Sequence, residues 1–161
     1  MADATYVPTV EGVWYLAMVL EVLARRIVGG SLAARPDSDL RVRARPMALT
    51  RRPPTPVVLP SDHGSQETSQ HFLEVCQRAN VPVSMGAVGD CYDNAMAESF
   101  FATLETELIH QQPRRRFPDR EQAQAKLFDY VEGCYHPHRR HSALGPISPV
   151  EYETRFNQEI R

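Results

Sequence analysis

The chain has 161 residues, 42% hydrophobic and 24% charged, with a net charge of -2. That suits one soluble domain with room for a sizeable core. The longest apolar run, Val13 to Leu20, is far short of the roughly 20 residues a membrane helix needs, and no basic segment followed by an apolar one opens the chain as a secretory signal would.

Ala2 to Val7 reads as a strand, with β propensity from Thr5, Tyr6 and Val7 and an end at Pro8. Val13 to Leu20 is continuously apolar, the pattern of a strand buried on both faces; a short helix is the competing reading. Arg26 to Gly30 looks like a third strand, and the short links predict an antiparallel meander. Residues 31–56 are the least legible. Asp39 to Thr50 has a helical stripe of Leu40, Ala44, Met47 and Ala48, but Pro46 should kink or break it. Arg51 to Pro56 reads as an extended linker, and Val57 to Leu59 as a fourth strand.

Ser65 to Ala79 reads as a helix with Phe72, Leu73, Cys76 and Ala79 on one face, and Val81 to Ser84 as an edge-like fifth strand. Asp93 is placed as the N-cap of a helix over Asn94 to Gln111, with Ala97, Phe100 or Phe101, Leu104 and Leu108 on its apolar side. Asp119 to Gln122 has the shape of a capping box. It opens a helix striped by Ala123, Leu127, Tyr130, Val131 and Cys134 and ending at His136-Pro137. Ser148 caps a last short helix with Pro149 in its first turn. The order implies an α/β fold: one mixed sheet covered by helices, in a single domain over 1–161.

Three acids stand out. Asp3 lies on the first strand, Asp62 follows the fourth, and Glu98 sits early in a helix, with 35 residues between the last two. Carboxylates on rigid elements form a plausible cage for hard divalent cations, and two such ions can clamp both oxygens of an in-line displacement at phosphorus. Each acid also has an ordinary reading: a turn or N-cap for Asp62, a solvated helix face for Glu98, a surface position for Asp3. Spacing alone does not choose between them.

The residues around the acids do. Ala2-Asp3-Ala4-Thr5-Tyr6-Val7-Pro8-Thr9, Ser61-Asp62-His63-Gly64-Ser65-Gln66, Cys91-Tyr92-Asp93-Asn94-Ala95-Met96-Ala97-Glu98-Ser99-Phe100-Phe101 and the run from Tyr135 through Arg139-Arg140-His141 to Ser148-Pro149-Val150-Glu151-Tyr152 carry a specific pattern. In them the chain resembles the retroviral-integrase-like transposases of bacterial insertion sequences, in particular the second-frame catalytic product of the two-frame group. The resemblance implies an RNase H-like fold with a five-stranded mixed sheet flanked by helices. It implies an Asp-Asp-35-Glu triad of Asp3, Asp62 and Glu98, acting as both catalytic residues and ligands of two Mg²⁺ or Mn²⁺ ions. Double-stranded DNA would be the substrate, a homo-oligomer the active form and the bacterial cytoplasm, at the nucleoid, the location. Three cysteines without CxxC spacing agree with a reducing compartment.

Of 18 basic residues 17 are arginine, whose guanidinium fork matches phosphate oxygens. Arg114, Arg115 and Arg116, with Arg139, Arg140 and His141, are therefore candidate DNA contacts, against the alternative of solvated basic loops. Asn94, Gly64 and Ser65 are supporting residues of the motifs. Cys134, His136, His138 and His141 match no familiar zinc pattern.

The chain also departs from the family. Relatives of this kind usually have Asp where Glu21 stands, a basic residue at Glu105, an aromatic at Glu67 and His at Ser61, and their counterpart of 31–56 is an apolar helix. The chain opens at the motif of the first acid, which implies an N-terminally truncated core without a helix-turn-helix domain ahead of it. The alternative to a working transposase core is thus a catalytically inactive remnant that at most binds DNA.

Overall fold

The computed structural model describes residues 2–36, 38–51, 59–60, 83–84 and 90–159. Three strands form an antiparallel meander: β1 (Ala2–Thr9), β2 (Gly12–Leu20) and β3 (Ile27–Ala33). All eight residues of β1 pair with β2, from Ala2 opposite Val19 to Thr9 opposite Gly12. β2 pairs with β3 from Tyr15 opposite Ala33 to Leu20 opposite Ile27, with a register shift at Val19/Leu20. Two further strands, β4 (Leu59–Pro60) and β5 (Val83–Ser84), pair in parallel. The expected five-stranded sheet is described only as these two parts. The expected helix over Ser65 to Ala79 lies outside the described residues.

The apolar run of β2 is explained by its two faces. Leu16, Met18 and Leu20 pack with Val7, Ile27, Phe100, Leu104, Phe117, Leu127 and Tyr135. Ala17 and Val19 face the other way, with Val28, Leu40, Ala44 and Ala48. Full burial of a large aliphatic side chain contributes about 1.5–3 kcal/mol, so both coverings stabilise the same strand.

Helix α1 (Ser38–Arg51) covers the second face. The helical stripe read over Asp39 to Thr50 is thus a helix, and the expected break at Pro46 is corrected, because the helix continues through it. Pro46 is exposed, and the packed stripe of Leu40, Ala44 and Ala48 supplies the stability that propensity lacks. Met47, expected on that stripe, is exposed. The approach of α1 to the sheet is close: a Cβ on Gly29 would lie 2.1 Å from the Ala44 carbonyl oxygen.

The first face is covered by α2 (Asp90–Leu104) and α3 (Arg120–Tyr130). Helix α2 starts before Asp93, so Asp93 lies inside it instead of capping it. It runs into a π turn, Glu105–Ile109. Helix α3 likewise runs into a π turn, Val131–Tyr135, and on through Pro137 to His138. Both π turns correct the apolar stripes read from a 3.6-residue period. In α2 the buried residue after Leu104 is Ile109, while Leu108 is only partly buried. In α3 the buried residue after Tyr130 is Tyr135, and Cys134 is exposed. A step of five residues replaces one of four, as a wider turn requires.

The other two caps, at Asp119 and Ser148, match the reading from sequence. Asp119 Oδ1 accepts the Gln122 N–H at 2.7 Å, and Ser148 Oγ accepts the Glu151 N–H at 3.2 Å. Pro149 is the first residue of the last helix, α4 (Pro149–Glu159).

Candidate active site

Asp3 stands near the start of β1, opposite Met18, and is half-buried. Its Oδ1 accepts the Ala4 N–H at 2.7 Å, which limits how the carboxylate can turn. Glu98 is exposed on α2, beside the buried Ala97. Helix α2 packs against β1, so the structure brings the two acid-bearing elements together. Glu21 follows the end of β2, the end that pairs with the start of β1.

Asn94 lies in the second turn of α2, ahead of Glu98. Asp62, Gly64 and Ser65 lie outside the described residues. Among the described residues no three His, Cys, Asp or Glu side chains gather as a metal site. Asp3 and Glu98 are hard oxygen donors on rigid elements, the donor chemistry Mg²⁺ or Mn²⁺ takes, and the cage read from the sequence needs Asp62 as well.

The basic candidates divide into two places. Arg114, Arg115 and Arg116 are exposed in the connection between α2 and α3. Arg139 is half-buried and ion-pairs with Glu107; its Nη2 also donates to Thr103 Oγ1 at 3.3 Å. Arg140 is exposed. His141 is half-buried, and burial, with Arg25 and Arg139 adding to it, pushes its pKa down to about 4. Its ring is thus neutral at pH 7, and its buried Nε2 has no hydrogen-bond partner among the described residues.

Two groups escaped the reading from sequence. Glu107, in the π turn of α2, accepts from Tyr130 OH at 2.7 Å as well as from Arg139, joining both helices and the basic loop. The other is a chain of Arg51, Glu132 and His136: Arg51 Nη1 donates to Glu132 Oε1 at 2.7 Å, and Glu132 Oε2 lies 3.2 Å from His136 Nδ1. The i,i+4 spacing of Glu132 and His136 was the one signal for it. Both ring nitrogens of His136 are occupied, because Nε2 accepts the Ile27 N–H, so a zinc role for it has no free donor.

Comparison with known proteins extends this picture. Residues 1–91 match a family described as Integrase core domain, and residues 98–156 match a second family of the same description. "Transposase InsF for insertion sequence IS3A" of Escherichia coli (strain K12) is 40% identical over 154 residues, covering 95% of this chain and 52% of that protein. "Insertion element IS600 uncharacterized 31 kDa protein" of Shigella sonnei is 37% identical over 159 residues, covering 98% of this chain and 57% of that protein. The chain spans about half the length of the curated relatives it matches.

Among solved structures, the HTLV-2 integrase catalytic core domain in complex with magnesium (trimeric form) superposes with a TM-score of 0.59 at 12% identity, over 94% of this chain and 92% of that one. The catalytic domain of Mos1 mariner transposase gives 0.56 at 14% identity, over 81% and 67%. These likenesses carry the fold, an α/β fold of the RNase H-like kind. With the family match over 1–91 spanning more than half of the residues, the chain belongs to the integrase core domain family.

Proposed function

We propose that residues 1–161 form a single catalytic core that breaks and joins double-stranded DNA in transposition, with Asp3, Asp62 and Glu98 as the metal-binding and catalytic carboxylates. The observation that carries this reading is the packing of α2, which bears Glu98, against β1, which bears Asp3, in a chain of this family. Two Mg²⁺ or Mn²⁺ ions held by these acids would supply Lewis-acid activation of the attacking hydroxyl and the leaving oxygen. The chain itself supplies the rest. β1 holds Asp3 by eight paired positions, and the buried side of α2 fixes the direction of Glu98. Asn94, Gly64 and Ser65 act as supporting residues of the motifs that carry the acids. Arg114, Arg115, Arg116, Arg139, Arg140 and His141 face the DNA backbone, with Arg139 available once Glu107 releases it. The working form is a homo-oligomer, since joining two ends needs two cores, and it acts in the cytoplasm at the nucleoid. Among the described residues no helix is long and apolar enough to cross a membrane.

One observation favours a second reading, a remnant that binds DNA without turnover. Glu105 is an exposed acid that opens the π turn of α2, seven positions after Glu98, where the family pattern calls for a base. An acid there repels phosphate. A Mn²⁺-dependent strand-transfer assay on pre-cleaved transposon ends separates the two. Product with the wild-type chain and none with Asp62→Asn supports the working core. Mn²⁺ binding without product, restored by Glu105→Lys, supports the remnant.

A further inference from the structure

Two of the three arginines of the α2–α3 connection sit on strained backbone, and the connection is firmly anchored. Arg114 and Arg115 have φ of 55° and 56°, the left-handed region that side chains with a Cβ rarely adopt. The strain persists because the connection is tied down on both sides. Before it, the Gln112 N–H donates to the Ile109 carbonyl at 3.0 Å, and Gln112 Nε2 donates to the Leu108 carbonyl at 3.0 Å. After it, the fully buried Phe117 is fixed to β1: its N–H donates to the Pro8 carbonyl and its carbonyl accepts the Val10 N–H, each at 2.9 Å. Backbone strain held against the odds in this way is a mark of functional loops.

The place of this loop is as informative as its shape. It is fixed to the far end of β1, and it follows the far end of α2. Asp3 lies near the opposite end of β1, and Glu98 lies about midway along α2. Asp3 to Pro8 is about 17 Å of strand, and Glu98 to Ile109 is about 16 Å of helix. The arginines therefore stand well away from the acids. Arg115 also borders a recess of ≈ 230 Å³ whose walls include Thr5, Tyr6 and His110. Glu105, in the same wall, is 3.4 Å from His110.

We infer that Arg114, Arg115 and Arg116 form a second DNA grip, which holds phosphates about five base pairs from the bond that reacts. The inference rests on the reading of the chain as a DNA-processing core. The anchors at Gln112 and Phe117 hold the backbone that carries the three arginines in place before DNA arrives. The grip positions the duplex and takes no part in the chemistry.

The test sets affinity against stability. Arg114→Gly and Arg115→Gly remove charge and also relieve the left-handed backbone. The double variant should keep or raise Tm, while binding of a fluorescein-labelled duplex of about 25 base pairs, some two and a half turns, weakens at least tenfold. Its salt dependence, as the slope of log K against log salt, should become shallower by about 2, near one unit per lost phosphate contact. Adding Arg116→Ala should bring the loss of slope to about 3. Unchanged affinity and slope on the duplex overturn the inference. So does duplex binding held at the wild-type level with loss of self-association, which assigns the arginines to a protein contact. Absence of strand transfer with these binding differences intact counts against the catalytic reading and leaves the grip standing.

Discussion

His136 Nε2 accepts the backbone N–H of Ile27 at 3.0 Å, so the end of α3 holds the first residue of β3 through one buried ring. The ring can do this only when neutral, with its proton on Nδ1 facing Glu132. Burial lowers the pKa of His136, and Arg26 and Arg51 push the same way, while Glu132 opposes them. Burial also leads the causes that lower His141. In the unfolded chain both histidines bind a proton near pH 6.5, and in the folded chain they bind it only at lower pH. Folding stability is therefore fully present above about pH 6.5 and falls as the pH drops below it. Urea midpoints measured between about pH 8 and pH 5 should show that decline, and His136→Gln should flatten part of it. A profile of unchanged steepness in His136→Gln would count against the role given to Ile27.

The contact of Gly29 with α1 makes a sharp prediction for stability. A methyl group at that position meets the Ala44 carbonyl oxygen, which is helix backbone and cannot swing aside. Gly29→Ala should cost about 1–3 kcal/mol in urea unfolding. At Gly133, where a Cβ would meet nothing within 4 Å, the same exchange in a helical turn should be neutral or stabilising. Equal effects at the two positions would remove the close approach of α1 as the explanation.

Glu107 should restrain DNA binding. In Glu107→Gln the neutral amide can still accept from Tyr130, but it releases the guanidinium of Arg139. Binding of a labelled duplex should tighten, and the salt slope should steepen by about 1, for one added phosphate contact. Weaker binding in this variant would show that the ion pair holds Arg139 in its working position instead of withholding it.

Metal binding should appear as stabilisation. With free Mn²⁺ at about 100 times Kd, the wild-type chain should gain about 2.7 kcal/mol from mass action alone. Asp3→Asn and Glu98→Gln should each reduce that gain with little change in stability without metal. Calorimetric melting with and without Mn²⁺ measures both quantities, and an undiminished gain in either variant removes that acid from the ligand set.

Much of this was legible in the sequence, for identifiable reasons. The meander could be read because Val13 to Leu20 is apolar on both faces and its neighbours are joined by short links. The caps at Asp119 and Ser148 could be read because they depend on residues three positions apart. The helix through Pro46 was obscured because its stability comes from packing on Gly29 and Val28, which no local pattern records. The stripes of α2 and α3 went astray at Leu108 and Cys134 because a fixed 3.6-residue period cannot anticipate a π turn. At the candidate site, Asp3 and Glu98 were singled out by the residues beside them, and the structure puts them on two elements that pack together. The partners of Arg139 and His136 were not, because Glu107 and Ile27 lie 32 and 109 positions away.

The two π turns also couple the lengths of their helices. Each inserts one residue beyond the α-helical count, and the side chains brought inward, Ile109 and Tyr135, belong to the same core. Were either turn to close as an ordinary α-helical turn with all its residues kept, everything beyond it would rotate by about 100°. In α2 that would turn Ile109 outward and misdirect the connection that carries the arginines. In α3 it would carry His136 away from Ile27. The extra residues thus act as phase adjusters: they let two rods keep their charged ends aimed at different parts of the molecule while sharing one packed seam.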